Sequence, residues 1–367
     1  MHNISTIMRE GINVLSPFNG CSGAMLALRG RHNIPVKTYI SLETDKYANT
    51  VSQANWGNTV WQMGDVREFS RDLYRESYLD KNPFDLLIGG SPCQDVSFAG
   101  HQKGLIPGTR SSLFFEYVRL LKEFKPKYFL LENVRMKQSN MDIISDALGV
   151  QPIKINSSHF TAQNRVRYYW TNIPQTELPE DKGVVLQDIL EPDGYFADRD
   201  KSFCIDANYF KGGNLKSYFE KHRRQLVFSP EGLAHVGDAD LKGHGYNRRV
   251  YHRKGKSPSV CAASGGNLEP KVLVETKDGR YNEDGSTTQK LELRKDGKTN
   301  ALTTVQKDNV VVDQEMGWRK LTPLEVERLQ GMPDNYTAHV SNTQRYRMIG
   351  NGFTIPVISY LLGGMEV

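Results

Sequence analysis

Cysteine is scarce: Cys21, Cys93, Cys204 and Cys261 are the four in 367 residues, and no Cys-x-x-Cys pair occurs. That spacing excludes a disulfide framework and offers no zinc-ligand set, and reduced thiols fit a cytosolic compartment. Long apolar runs are also missing. No stretch approaches the roughly 20 residues that cross a bilayer, and MHNISTIMREG at the N-terminus has no signal-peptide pattern. An intracellular, cytoplasmic protein with no membrane partner and no metal is therefore expected. Neither sign of charge dominates: 47 Lys and Arg stand against 42 Asp and Glu, leaving a net charge of +5. A surplus of that size admits a polyanionic partner without requiring one. What is present is ordinary, with 38% hydrophobic and 24% charged residues in a chain long enough for two or three domains.

Short apolar runs alternate with helical patterns through the first 173 residues, which predicts a parallel α/β sheet. The expected strands are INVLSPF (12–18), TYISLE (38–43), TVWQMGD (59–65), FDLLIGG (84–90), KYFLLENV (127–134), IKINSSHF (153–160) and VRYYWTNI (166–173). Between the fourth and fifth, SLFFEYVRLLKEF (112–124) sets Leu113, Phe114, Tyr117, Leu120, Leu121 and Phe124 on one helical face. From about 175 to 317, Gly, Lys, Asp and Asn become frequent and periodicity weakens. A K-[ST]-x-x-[IVL]-x-[AT] pattern recurs there in KSFCIDA (201–207), KSPSVCA (256–262) and KTNALTT (298–304), which reads as three irregular β-hairpin units. Order returns with WRKLTPLEVERLQGMPDNY (318–336): Thr322 is an N-cap, Pro323 takes the first helical position, Glu325 completes a capping box, and Leu321 and Val326 form a staple. QRYRMIGNGFTIPVISYLLGG (344–364) reads as a Gly-Asn-Gly turn followed by an apolar helix or strand. The order predicts a domain at 1–174, a smaller domain inserted at 175–317, and a segment at 318–367 that returns to the first fold.

Chemistry concentrates at the strand ends. FNGCSG (18–23) is a glycine-rich turn after the first strand, where backbone can approach a ligand at a helix N-terminus. Glu43 and Asp65 end the second and third strands at the same edge, so three strand ends favour a nucleoside-containing cofactor. The fourth strand delivers Pro92-Cys93, a thiol whose direction is fixed by the proline and which becomes a nucleophile beside positive charge. The fifth ends in Glu132, a carboxyl placed for general acid work in a partly dry site. QNRVR (163–167) puts Arg165 and Arg167 at i and i+2, on one face of a strand. Taken singly, each is open to a plain reading as a buried small cysteine, a capped glutamate or a pair of surface arginines.

Together, GGSPCQDVSFAGHQKG, LENV, QNRVR, KLTPLEVERLQGMPDNY and IGNGFTIPV resemble the motif set of the C5-cytosine DNA methyltransferases. The resemblance implies a Rossmann-like S-adenosylmethionine-dependent methyltransferase sheet with an inserted, mostly β target-recognition domain. It implies S-adenosylmethionine as cofactor and S-adenosylhomocysteine as product, held by Phe18, Gly20, Gly23, Glu43, Asp65, Val66, Pro92, Leu113 and Asn351. Cys93, Glu132, Arg165 and Arg167 become the catalytic set. Double-stranded DNA becomes the partner of an expected monomer, bacterial or phage-encoded, with the target cytosine flipped into the site. Gln94, Ser97, Arg248, Arg249, Arg253, Lys254, Lys256 and Ser259 are the candidate DNA contacts, most of them in YNRRVYHRKGK (246–256) and beside it. Gln94 to Ser112 would close over the base as a lid. Three other readings remain open from the residues: a tRNA cytosine methyltransferase, an inactive DNA-binding regulator on the same fold, and a dinucleotide-dependent oxidoreductase.

Overall fold

Uninterrupted Val, Ile and Leu runs suit strands covered on both faces. INVLSP and YFLLEN are buried at every residue. The computed structural model describes residues 11–30, 32–76, 83–92, 113–175, 177–229, 235–238, 249–251, 271–272 and 317–366. Its main sheet holds seven strands, β1 (Ile12–Pro17), β2 (Val36–Leu42), β3 (Trp61–Gln62), β4 (Leu86–Gly90), β5 (Tyr128–Asn133), β6 (Ile153–Asn156) and β7 (Val166–Thr171), in the order β3-β2-β1-β4-β5-β7-β6. All seven expected strands are present. The first five run parallel to one another, but β7 is antiparallel to both β5 and β6, so the sheet is mixed rather than parallel. The cause is connection length. A parallel return needs a crossover of a dozen or more residues, and only residues 157–165 join β6 to β7.

Side chains alternate across the central strands. Leu15, Leu87 and Leu131 join one apolar cluster with the helix α4 (Phe114–Phe124), which buries Phe114, Tyr117, Val118, Leu120 and Phe124. Val14, Leu86 and Leu130, one position earlier on each strand, point the other way and are equally shut from water. The helix α1 (Gly23–Arg29) follows β1 and packs on α9 (Ile355–Leu362), with Ser359 Oγ donating to the Ala27 carbonyl at 2.8 Å. The C-terminal segment thus returns beside the first helix. The helix α7 (Pro323–Leu329) carries the capping box read from sequence: Thr322 Oγ1 accepts from Glu325 N at 3.2 Å, and a Glu325 carboxylate oxygen accepts from Thr322 N at 2.8 Å. The Gly-Asn-Gly stretch does not form a separate turn. Gly350 and Asn351 close the helix α8 (Asn342–Asn351), and Gly352 caps it with a negative φ.

Two compact units are distinguished, one made of the residues up to Ile189, Arg199–Gln225 and those from Leu321 onward, the other of Leu190–Asp198 and Leu226–Lys320. Residues 177–189 and 199–225, which composition groups with the middle domain, therefore belong to the first unit. KSFCIDA (201–207) is among them and forms no hairpin. Its backbone is satisfied elsewhere: Ser202 N donates to Ala162 O at 2.7 Å, Phe203 N to Gln225 Oε1 at 3.0 Å and Ile205 N to Gln163 Oε1 at 3.3 Å. The other two units of the repeat, 256–262 and 298–304, lie outside the described residues. Within the second unit, β8 (Leu226–Ser229) pairs antiparallel with β12 (Gly317–Lys320), and β9 (His235–Asp238), β10 (Arg249–Tyr251) and β11 (Lys271–Val272) make a small sheet. No helix among the described residues is long and apolar enough to cross a membrane.

Thr322→Ala removes one half of the capping box and is expected to cost about 1 kcal/mol of stability. Urea unfolding of the full chain measures it, and an unchanged midpoint contradicts the role given to the cap.

Candidate active site

From β1 the chain runs outward through β2 to β3, then re-enters at β4 on the other side of β1. Loops leaving β1 and β4 therefore diverge, and a crevice opens beyond their carboxyl ends. A cleft of about 290 Å³ lies there. Its walls include Phe18, Gly20, Gly23 and Glu43 from the first two strand ends, Pro92 from β4, Glu132 from β5, Arg165 and Arg167 from β7 and the residue before it, and Asn351 from the end of α8.

The loop after β1 is wound tightly. Phe18, Gly20 and Ser22 all have positive φ, at 55°, 56° and 66°. Glycine accepts that conformation freely, whereas an L side chain costs roughly 1–2 kcal/mol. A buried polar network holds it: Asn19 Oδ1 accepts from Ser16 Oγ at 3.0 Å and from Tyr39 OH at 2.8 Å, Asn19 Nδ2 donates to Ser22 Oγ at 2.9 Å, and Ser22 Oγ lies 2.7 Å from Ser52 Oγ. Glu43 fastens the same loop from outside. One carboxylate oxygen accepts from Gly20 N at 2.9 Å, and the other accepts from the Thr44 and Asp45 amides at 2.8 Å each.

β4 and β5 bring the second cluster together. Their register sets Gly90 opposite Glu132. Asn133 Nδ2 donates to Ser91 Oγ at 3.0 Å and anchors the turn that leads to Pro92. Arg167 Nε donates to Glu132 Oε1 at 3.0 Å, an ion pair with both partners largely buried. Arg165, 2% exposed, turns its guanidinium to carbonyls: Ile205 O at 2.9 Å, Gly350 O at 3.1 Å and Gly352 O at 2.9 Å. Its Nε is buried with no acceptor among the described residues, so the cleft wall carries an unanswered donor. A strand-end carboxylate, a turn of exposed backbone and apolar Phe18 suit a nucleoside bearing polar groups, and the donor set fits such a cofactor. Among the described residues no group of His, Cys, Asp and Glu could hold a metal ion.

Of the residues read from sequence, Phe18, Gly20, Gly23, Glu43, Pro92, Glu132, Arg165, Arg167 and Asn351 share the cleft. Asp65, Val66 and Leu113 do not line it. Asp65 is paired with Arg67, which donates from Nε at 3.0 Å and holds its carboxyl below the usual range. Val66 belongs to the α4 cluster, against which Phe18 and Leu113 also pack. Cys93, Gln94, Ser97, Arg248, Arg253, Lys254, Lys256, Ser259 and the stretch from Gln94 to Ser112 lie outside the described residues, and Arg249 is placed as backbone at the start of β10. Sequence reading missed Asn19, Asp45, Met332, Met348 and Phe353 on the walls. Asp45 had a visible signal as the N-cap of α2 (Lys46–Trp56), whereas the two methionines had none.

Burial pushes the Glu132 carboxyl above its ordinary 4.5, and the Arg167 and Arg165 guanidiniums pull it part of the way back. The folded chain therefore holds this proton more tightly than the unfolded chain. Its contribution to stability is complete below the ordinary value and is lost as pH rises through the elevated one. Unfolding free energy of wild type minus that of Glu132→Gln should accordingly fall as pH rises above the ordinary 4.5 and through the elevated value. A difference that rises with pH contradicts the shift.

The family model for C-5 cytosine-specific DNA methylase matches residues 12–366. The orphan methyltransferase M.SPRI of Bacillus phage SPR is 28% identical, with 95% of this chain and 95% of that protein covered. The type II methyltransferase M.HpaII of Haemophilus parainfluenzae is 26% identical, with 96% of this chain and 88% of that protein covered. Among solved structures, the Entamoeba histolytica methyltransferase EhMeth shares the fold with a TM-score of 0.56 at 15% identity, covering 96% of this chain and 98% of its own. Because the family match runs from β1 through the crevice strands to the C-terminal return, the protein belongs to the C-5 cytosine-specific DNA methylase family.

Proposed function

We propose that the protein methylates C5 of cytosine within a specific double-stranded DNA sequence, using S-adenosylmethionine and a covalent bond from Cys93 to C6 of a flipped-out base. The observation that carries this reading is the meeting, at one cleft, of the buried Glu132–Arg167 pair with Pro92, whose next residue is Cys93.

C5 of cytosine is too weak a nucleophile to react unaided. Addition of the Cys93 thiolate forms an S–C6 bond and moves the C5–C6 π pair onto C5, with charge shared toward N3. Glu132, protonated more readily because it is buried, donates to N3 as that charge develops. Arg167 fixes the Glu132 carboxyl and would offer a donor to the base O2. The positive charge of Arg165 favours the thiolate form of Cys93. The chemistry that S-adenosylmethionine supplies when bound is an electrophilic methyl group for C5. Loss of the C5 proton to a solvent base then restores the C5–C6 double bond, breaks the S–C6 bond and frees Cys93 as thiolate. Phe18, Gly20, Gly23, Glu43, Pro92 and Asn351 would hold the donor from the cleft walls. Asp65, Val66 and Leu113 would support them, the last two through the cluster on which Phe18 packs. A base inside a stacked duplex is out of reach, so the reaction requires flipping. The second unit is assigned target recognition, with Arg248, Arg249, Arg253, Lys254, Lys256 and Ser259 as its contacts and Gln94 and Ser97 as contacts next to Cys93.

Cys93→Ser should abolish transfer from labelled donor to duplex DNA while leaving DNA binding intact, and wild type should be trapped covalently by DNA carrying 5-fluorocytosine. A Cys93→Ser enzyme that still methylates, or labelling of tRNA in preference to DNA, overturns the reading. Glu132→Gln should lower kcat by about 10²-fold or more, measured by bisulfite readout of a methylated plasmid and by initial rates.

A further inference from the structure

Tyr336 lies in the turn between α7 and α8, is 5% exposed, and does not line the cleft. Its phenol donates to the carbonyl of Cys21 at 2.7 Å and accepts from Trp56 Nε1 at 2.8 Å. Its own carbonyl accepts from Asn55 Nδ2 at 2.9 Å. Cys21 is a cleft residue, and it stands between Gly20 and Ser22, both with positive φ. One hydroxyl thus ties the tightly wound loop to the end of α2 and to a turn 315 residues away in sequence.

The turn is itself held firmly. Glu327, fully buried, accepts from Asn335 N at 2.7 Å, from Thr337 N at 2.8 Å and from Arg345 at 3.1 Å, and also from the Thr337 hydroxyl. A buried carboxylate with that many donors has one arrangement available to it, so the Tyr336 ring projects from a rigid base. Burial also raises the phenol far above its ordinary value, and it remains a donor at every working pH.

We infer that Tyr336 is a positioning residue for the donor site: it sets the Cys21 carbonyl, and through it the path of the loop that faces the cofactor. The inference rests on the proposed use of S-adenosylmethionine. Deleting the hydroxyl leaves the ring in place and frees the loop to sample paths that do not fit the ligand.

Tyr336→Phe should raise the dissociation constant for S-adenosylhomocysteine about tenfold. Isothermal calorimetry on the folded full chain reads it without turnover. In assays, KM for the donor should rise by a similar factor, with kcat and KM for DNA little changed. Trp56→Phe removes the donor to the same hydroxyl and should move the dissociation constant in the same direction by less, a second handle should Tyr336→Phe fold poorly. A folded Tyr336→Phe protein with wild-type affinity, or one that loses kcat alone, overturns the inference. Failure of wild type to bind S-adenosylhomocysteine overturns the donor reading instead, and the inference falls with it.

Discussion

The guanidinium of Arg165 gives hydrogen bonds to the carbonyls of Ile205, Gly350 and Gly352, acceptors drawn from segments far apart in the chain. Removing such a charge from water costs several kcal/mol. Hydrogen bonds to a charged group return about 1.5–3 kcal/mol each, so three of them offset the cost only while all three carbonyls stay in place. Arg165 and the C-terminal return are therefore mutually dependent. Without α8 and its Gly352 cap the arginine would lose two of these three acceptors, and without the arginine two carbonyls at the end of α8 would lose their donor. Asn351 reaches the cleft because its neighbours on both sides are held in this way.

The turn after β1 follows the same logic at smaller scale. Phe18 and Ser22 both adopt the left-handed conformation at a cost of roughly 1–2 kcal/mol each. Net gains of about 0.5–1.5 kcal/mol for each buried hydrogen bond around Asn19, Ser22 and Glu43 offset much of that cost, and the Tyr336 hydroxyl on the Cys21 carbonyl supplies a further one. Apart from the bond from Asn19 to Ser22, these reach outside the turn: Tyr39 comes from β2, Ser52 from α2 and Glu43 from the end of β2. A loop built this way is shaped before any ligand arrives, which reduces the ordering that binding would otherwise require.

Strand positions and the polar residues at strand ends were legible because both depend on local pattern. Apolar runs must be covered, and polar residues that end them emerge at one edge. The α4 face and the Thr322 cap were read correctly for the same reason. What sequence did not show was decided by contacts between distant residues. The reversed β7 follows from a short connection, yet the strands on either side of that connection carry the same apolar signal whichever way they run. KSFCIDA has a strand-like alternation, but the amides of Gln163 and Gln225 take its backbone donors before a hairpin partner can. Composition alone grouped 177–189 and 199–225 with the middle of the chain, since loop-rich segments look alike whichever unit they pack on. Met332, just past α7, and Met348, within α8, gave no warning because an apolar side chain there reads as core until a cleft is found beside it.

The pair of glycines that ends β4 shows how close packing and chemistry share one stretch of sequence. A β-carbon on Gly89 would lie 2.3 Å from the Pro17 carbonyl oxygen, and one on Gly90 would lie 3.1 Å from Glu132 Oε2 and 3.3 Å from the Phe353 ring. The first glycine lets β4 approach the end of β1, and the second leaves the space that the Glu132 carboxyl occupies. Filling that space would press the carboxyl away from Gly90 and disturb its 3.0 Å contact with Arg167. The balance at Glu132 depends on this placement. Burial is the larger influence and favours the protonated acid, while the two arginines hold the opposing charge near enough to keep the carboxylate accessible. Under the proposed mechanism, a carboxyl that takes up its proton more readily than an exposed one is suited to donate to the base. The Gly-Gly before Ser91 and Pro92 is therefore part of the same device as the glutamate on the adjacent strand.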